Sequence, residues 1–250
     1  MQTNKTYEKE HFKLNLARIK KEGQNFEINI DPDLAIAMKE GQNIAISEIL
    51  KSEHIFFDAR EGELASQEMM KTIFGTDDVL KVAKKILDDG EIQLTAEHRQ
   101  KVRDRKQKKL VSMIHRNAID PRSGLPHPVQ RIENALNEAK IKINEIGKVE
   151  DQLQDILKKL QPIIPIKFER KQIEVKIGPE HAHSMYTIAT KYGSIKENQW
   201  LNDGSWFGVI EIPAGLRNEF LDELNNITHG NAIIKMLEWI NVKNIKQEIT

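Results

Sequence analysis

Two prolines, Pro162 and Pro165, punctuate this sequence where its hydrophobic pattern changes, and the segment beyond them restricts the fold most. "KFERKQIEVKI" alternates apolar and polar residues as a half-buried strand does, and "PEHAHSMYTIATKYG" reads as a helix. "SIKENQWL" and "SWFGVIEIP" are two further strands, joined through "LNDGSW" as a hairpin. "AGLRNEFLDELNNIT" is a second helix and "NAIIKMLEWI" a last strand. Strand–helix–strand–strand–helix–strand is the order of a ferredoxin-like βαββαβ domain, to which residues 162–250 are assigned. That fold hosts many functions and selects none.

Residues 1–94 mix short strands and helices, as an α/β domain does. "ARIKKEGQNFEINI" predicts two strands around a turn at Gly23, with Ile19, Phe26, Ile28 and Ile30 as the apolar positions. Asp31-Pro32-Asp33 starts a helix, its acids beside the positive end of the helix dipole. "HIFFDA" is another strand, and "SQEMMKTIF" a helix that stops at Gly75. In "GTDDVLKVAKKILDDG", Thr76 is the expected N-cap, Asp77 and Asp78 complement the dipole, and Gly90 closes the helix. Paired aspartates can also hold a metal, but the cap context favours the structural reading.

Residues 95–161 read as a three-helix bundle. The first helix covers about 95–118, the second Val129 to about Lys140, and the third about Lys148 to Leu160. Three prolines and a glycine in "DPRSGLPHP" make the turn after the first. A rival reading is a coiled coil that would make the protein a structural oligomer. Ile132, Leu136, Ala139, Ile143, Ile146, Leu153, Leu157 and Leu160 keep steps of four and three, save where Glu150 falls on the seam. Gly147 and Glu150 both weaken such a zipper, which favours two antiparallel helices of a small bundle. The whole is therefore an α+β chain of three domains.

Several chemistries are not expected. The sequence has no cysteine, so disulfides, thiolate metal sites and cysteine nucleophiles are excluded, and an intracellular, cytoplasmic protein is expected. No run of eighteen apolar residues suggests a membrane span, and "MQTNKTYEKEHFKLNLARIK" does not read as a secretory signal. No Walker pattern, glycine-rich phosphate loop or nucleophile elbow occurs. His181 and His183 are the close histidine pair, but on a helix they point about 200° apart, a poor arrangement for one metal. An enzyme centred on that pair is thus a weak alternative, and neither metal nor cofactor is expected. Trp200, Trp206 and Phe207 could stack on bases, but residues at this spacing read first as half-buried core.

Charge is the feature that asks for a partner. Residues 1–94 carry 13 basic and 18 acidic side chains, a net of −5; residues 95–160 carry 15 and 9, a net of +6; residues 161–250 carry 10 and 11, a net of −1. "TAEHRQKVRDRKQKKLVSMIHR", from Thr95 to Arg116, packs eight Lys or Arg against two acids. At 100° per residue its cations cover an arc of about 220°, which leaves little room for a buried stripe before Leu110. The first half of that helix is therefore expected to project, with Glu97 and Asp104 as its acidic neighbours. A solvated face is one account of Arg99, Lys101, Arg103, Arg105, Lys106, Lys108 and Lys109. RNA phosphate is another, and docking against the acidic first third is a third.

"FGTDD", "KKILDDGEIQLTAEHR", "RNAIDPRSGLPHPVQRIENALNEAK", "LQPIIPIKFE" and "DGSWFGVIEIP", in this order, resemble the Shwachman–Bodian–Diamond syndrome protein family, its archaeal branch most closely. The resemblance implies an α/β N-terminal (FYSH-like) domain, a three-helix bundle and a ferredoxin-like C-terminal domain. It implies a monomeric ribosome maturation factor without catalysis of its own, which binds the large ribosomal subunit and its rRNA. The family works with a GTPase related to elongation factor two to release the anti-association initiation factor six. Its C-terminal domain swings between positions. In the acidic N-terminal domain a locally basic face would meet RNA, and Arg18, Lys20, Lys21 and Arg60 are its candidates. A general RNA-binding protein without a maturation role is the nearest alternative.

Overall fold

The computed structural model describes residues 14–241. They form two compact units. The first runs through Arg105 and takes in Asn144–Lys148; the second comprises Lys106–Ile143 and the chain from Val149 onward.

The first unit begins with a hairpin, β1 (Leu16–Lys21) and β2 (Gln24–Asn29). Its two turn residues, Glu22 and Gly23, both have positive φ, as a two-residue turn between twisted strands requires. With β3 (Phe56–Asp58), β4 (Glu63–Leu64) and β5 (Glu91–Gln93) the strands form an antiparallel sheet of order β4-β3-β2-β1-β5. Ala17, Ile19, Phe26, Ile28 and Ile30 are buried in one core, which places Arg18 and Lys20 on the other face of β1. Four helices follow the pattern of caps: α1 (Pro32–Lys39), α2 (Ile46–Ile49), α3 (Gln67–Phe74) and α4 (Val79–Asp89). Helix α4 buries Val82, Ala83, Ile86 and Leu87. It ends at Gly90, where a Cβ would lie 2.4 Å from the Ile86 carbonyl oxygen and 2.5 Å from that of Arg18. A glycine there lets the helix end close against β1.

The cap of α4 departs from expectation. Asp78, not Thr76, is the N-cap: its carboxylate accepts from the N–H groups of Leu80 (3.0 Å) and Lys81 (3.3 Å). Thr76 Oγ1 accepts from Asp78 N–H instead (3.1 Å), shaping the approach. The charged acceptor takes the helix dipole, so the helix starts two residues later.

Helix α5 (Ala96–Asn117) is shared by both units. Its first half does not simply project. Val102 is 1% exposed and packs with Ile36 and Leu94, against which Ile92 and Ile146 also lie. Val102 is the buried apolar contact of this half among its cations.

In the second unit, Leu110, Val111, Met113 and Ile114 of α5 share a core with α6 (Val129–Glu138) and α7 (Val149–Leu160). The chain leaves the helix between α6 and α7, with positive φ at Lys140 and Gly147, so the zipper seam does not exist as one helix. A short strand, β6 (Ala118–Ile119), pairs with the start of β7 (Lys167–Ile177). Then come α8 (Pro179–Tyr192), β8 (Ser194–Trp200), β9 (Trp206–Pro213), a 3-10 turn at Ala214–Leu216, α9 (Arg217–Thr228) and β10 (Ile233–Asn241). The antiparallel order β10-β7-β9-β8 is that of the βαββαβ fold. Trp206 is fully buried and donates from Nε1 to Asn198 Oδ1 (2.7 Å), whereas Trp200 at the end of β8 is 56% exposed. The half-buried reading therefore fails for Trp200.

Candidate nucleic-acid interface

Thr95 anchors the basic helix. Its N–H donates to Asn15 Oδ1 (2.9 Å) and its Oγ1 accepts from His98 N–H (3.2 Å), fixing the first turn of α5. Lys101 pairs with Glu97 one turn earlier (2.7 Å), and that carboxylate raises its pKa.

Other acids come from outside the helix. Arg103 Nε donates to Glu145 Oε1 (2.5 Å), and Arg99 Nε stands 4.0 Å from the same oxygen. Arg105 Nη2 donates to Asp33 Oδ1 (3.0 Å), and Lys109 Nζ lies 2.8 Å from Glu150 Oε1. Lys106 is buried. Lys108 is exposed, and its side chain makes no hydrogen bond or ion pair among the described residues. The shortage of acids is thus a property of the helix taken alone. The loop before α7, α7 itself and α1 supply them.

The sheet-face candidates divide in the same way. Arg18 Nε donates to Glu27 Oε1 (2.6 Å), and Glu27, only 1% exposed, also accepts from Ala59 N–H (2.9 Å). This pair holds β1, β2 and the turn after β3 together. Lys21 is half-buried, with Nζ 5.4 Å from the Phe74 ring centroid, within cation–π range. Arg60 is exposed in a turn organised by Asp58, whose carboxylate accepts from the N–H groups of Glu61 and Arg60; those bonds hold its pKa below the ordinary value. Lys20 is exposed and unpaired among the described residues. Arg18 and Lys20 share one sheet face, and the pKa of Asp58 is lowered further by the charges of both Arg18 and Arg60.

Arg116, Lys140 and Lys142 are among further cations that are exposed with no side-chain hydrogen bond or ion pair among the described residues. Arg116 closes the basic stretch, seven residues beyond Lys109, and Lys140 and Lys142 lie in the loop after α6, outside it. Lys20, Lys108, Arg116, Lys140 and Lys142 are therefore ready for an anion, whereas Arg99, Arg103, Arg105 and Lys109 would first exchange a carboxylate. Such exchange is cheapest for Arg105 and Asp33, both exposed, where a pair is worth about 0–1 kcal/mol; Glu145 and Glu150 are largely buried.

No group of three His, Asp or Glu side chains able to hold a metal occurs among the described residues. His181 instead faces the His229 ring, with centroids 6.1 Å apart. No helix among them is long and apolar enough to cross a membrane.

Known proteins match the chain in three successive stretches. Residues 13–100 match the Shwachman-Bodian-Diamond syndrome (SBDS) N-terminal domain, residues 108–169 the SBDS protein domain II, and residues 172–239 the SBDS protein C-terminal domain. The chain is 40% identical to the ribosome maturation protein SDO1 homolog of Methanothermobacter thermautotrophicus, over 89% of this chain and 97% of that one. It is 39% identical to the homolog from Aeropyrum pernix, over 86% and 92%, respectively. It is 27% identical to the ribosome maturation protein SBDS of Caenorhabditis elegans, over 89% and 88%.

Proposed function

Because this chain belongs to the Shwachman–Bodian–Diamond syndrome protein family, matched in all three of its domains, we propose that it is a ribosome maturation factor that acts by binding, without catalysis of its own. Its target in this reading is the large ribosomal subunit, held through rRNA phosphates. The observation that carries it is the match along nearly the whole chain to relatives named for ribosome maturation.

The surface fits that role. Lys20, Lys108, Lys140 and Lys142 offer unpaired charge, and Arg99, Arg103 and Arg105 add charge held only by half-exposed ion pairs. Phosphate contacts of this kind fix position without reading sequence, which suits a factor that recognises an assembled particle. In the family's pattern, an elongation-factor-two-like GTPase would act with the bound protein to release initiation factor six, after which subunits join. The protein would work in the cytoplasm as a monomer.

Co-sedimentation with large subunits, with and without bound initiation factor six, tests this reading. Retention on the subunit, and release of initiation factor six only when the GTPase and GTP are added, is the expected result. A protein that binds free RNA of any kind but shows no preference for large subunits would be a general RNA-binding protein.

A further inference from the structure

The second unit contains a cleft to which, of the predicted RNA-binding residues, only Lys109 contributes. It is lined by Lys109, Ser112 and Arg116 from one face of α5, Glu150 from α7, Arg170 from β7, and Tyr192 from the end of α8. Met113 and Leu216, both buried, make an apolar floor, with Pro213 beside them.

The fold fixes the walls of the cleft. Gly215 in the 3-10 turn sits against the C-terminal end of α5, where a Cβ would lie 2.3 Å from the His115 carbonyl oxygen and 2.5 Å from that of Arg116. Only a residue without a side chain lets those two walls meet. Strand pairing of β6 with β7 fixes them again. His127 Nε2 lies 2.7 Å from the Pro165 carbonyl oxygen and therefore donates to it, and His115 Nδ1 likewise donates to the His127 carbonyl oxygen (2.7 Å). Tyr192 is held too: its hydroxyl donates to Glu223 Oε2 (2.5 Å), its ring packs edge-on against Phe220, and Lys191 Nζ lies over the ring, 5.0 Å from its centroid.

Charge then selects the ligand. Lys109 pairs with Glu150 and Arg170 with Glu211, but Arg116 is exposed at the mouth with no side-chain hydrogen bond or ion pair among the described residues. A site with one uncommitted guanidinium, an aromatic side chain and an apolar floor suits a nucleotide, which joins an anion to an aromatic ring, better than the aliphatic carboxylates of an acidic peptide. Single-stranded RNA is recognised by this pairing of a cation for the phosphate with an aromatic face for the base.

We propose that this cleft takes one nucleotide unit of single-stranded RNA, its phosphate at Arg116 and its base against Tyr192. The proposal rests on the RNA-binding part of the reading above and adds a second point of attachment at the C-terminal end of α5, beyond the dense run from Arg99 to Lys109.

Binding of a short oligouridylate to the full chain, measured across a range of salt, tests the cleft apart from the ribosome. Arg116→Gln should weaken binding about three-fold or more and flatten the slope of log affinity against log salt by about one. Arg116→Lys should restore the slope. Tyr192→Leu should weaken binding and leave the slope unchanged, because stacking releases no counterions. A thermal melt of each variant keeps a folding defect separate. If Arg116→Gln and Tyr192→Leu bind oligouridylate like the parent, or the parent does not bind it, the cleft is not a nucleotide site. If the cleft variants behave as expected but the parent does not sediment with large subunits, the cleft stands and the maturation reading falls. Protection of Arg116 from an arginine-specific reagent by oligouridylate is the independent readout, and equal modification with and without it would overturn the proposal.

Discussion

Arg105 and Asp33, 72 residues apart in sequence, meet at 3.0 Å, so the most basic helix of the chain is tied to the first turn of α1. Asp33 is there because Asp31 caps α1 and Pro32 fills its first position. A cap that looks purely local thus positions the acid that holds a distant arginine. The two side chains are 60% and 51% exposed, which keeps the pair weak and exchangeable.

Removing the borrowed acids should therefore strengthen RNA binding. Asp33→Asn with Glu145→Gln frees Arg105 and Arg103 without touching a cation. We expect tighter binding to large subunits, a steeper salt slope and a stability loss of no more than about 1 kcal/mol per pair. Equal affinity in parent and double variant, measured by co-sedimentation, would show that neither arginine reaches phosphate.

Asp31 gives the fold an acid-sensitive point. Its carboxylate pKa is lowered first by the hydrogen bond from Lys51, then by those from Leu34 and Asp33 N–H groups. The folded-state value lies below the ordinary 3.8, so this contribution is present above pH 3.8 and is lost as pH falls through the lower folded value. Asp31→Asn keeps a cap acceptor but removes the charge. Denaturant melts should show the parent losing stability faster than the variant in that window, and parallel curves would exclude Asp31 as the cause.

At α4 the two motif residues should separate cleanly. Asp78→Ala removes a carboxylate that accepts from two N–H groups and should cost about 1 kcal/mol. Thr76→Ala removes one bond outside the helix and should cost less. The reverse ranking in urea melts would return the cap to Thr76.

The C-terminal domain was legible because its strands and helices differ in period, and each segment from Lys167 to Asn241 fell where alternation or helical spacing put it. The same holds for the hairpin at Gly23 and the caps at Asp31 and Gly75. The α5 environment was not legible, because it depends on pairs such as Arg103 with Glu145, whose separation of 42 residues no local pattern encodes. Val102 stands alone among charges and carries no local sign of burial, yet it is 1% exposed. The cleft around Arg116 was invisible for the same reason: Arg170, Tyr192 and Leu216 reach it from three separate elements.

Exposure now divides the basic residues into two groups that one experiment can tell apart. Lys20 and Lys108 are exposed and unpaired among the described residues, so they add charge to the surface and nothing to the core. Replacing both with Gln should leave the thermal midpoint unchanged, weaken binding to large subunits, and flatten the salt slope by about one per phosphate lost. Arg103 and Arg105 hold Glu145 and Asp33, so replacing both with Gln should lower stability by about 0–1 kcal/mol per pair. If these arginines also exchange onto phosphate, that second variant flattens the slope as well. If its slope matches the parent while its melt shifts, the first half of α5 is an internal electrostatic strap. RNA contact would then rest on the uncommitted cations alone.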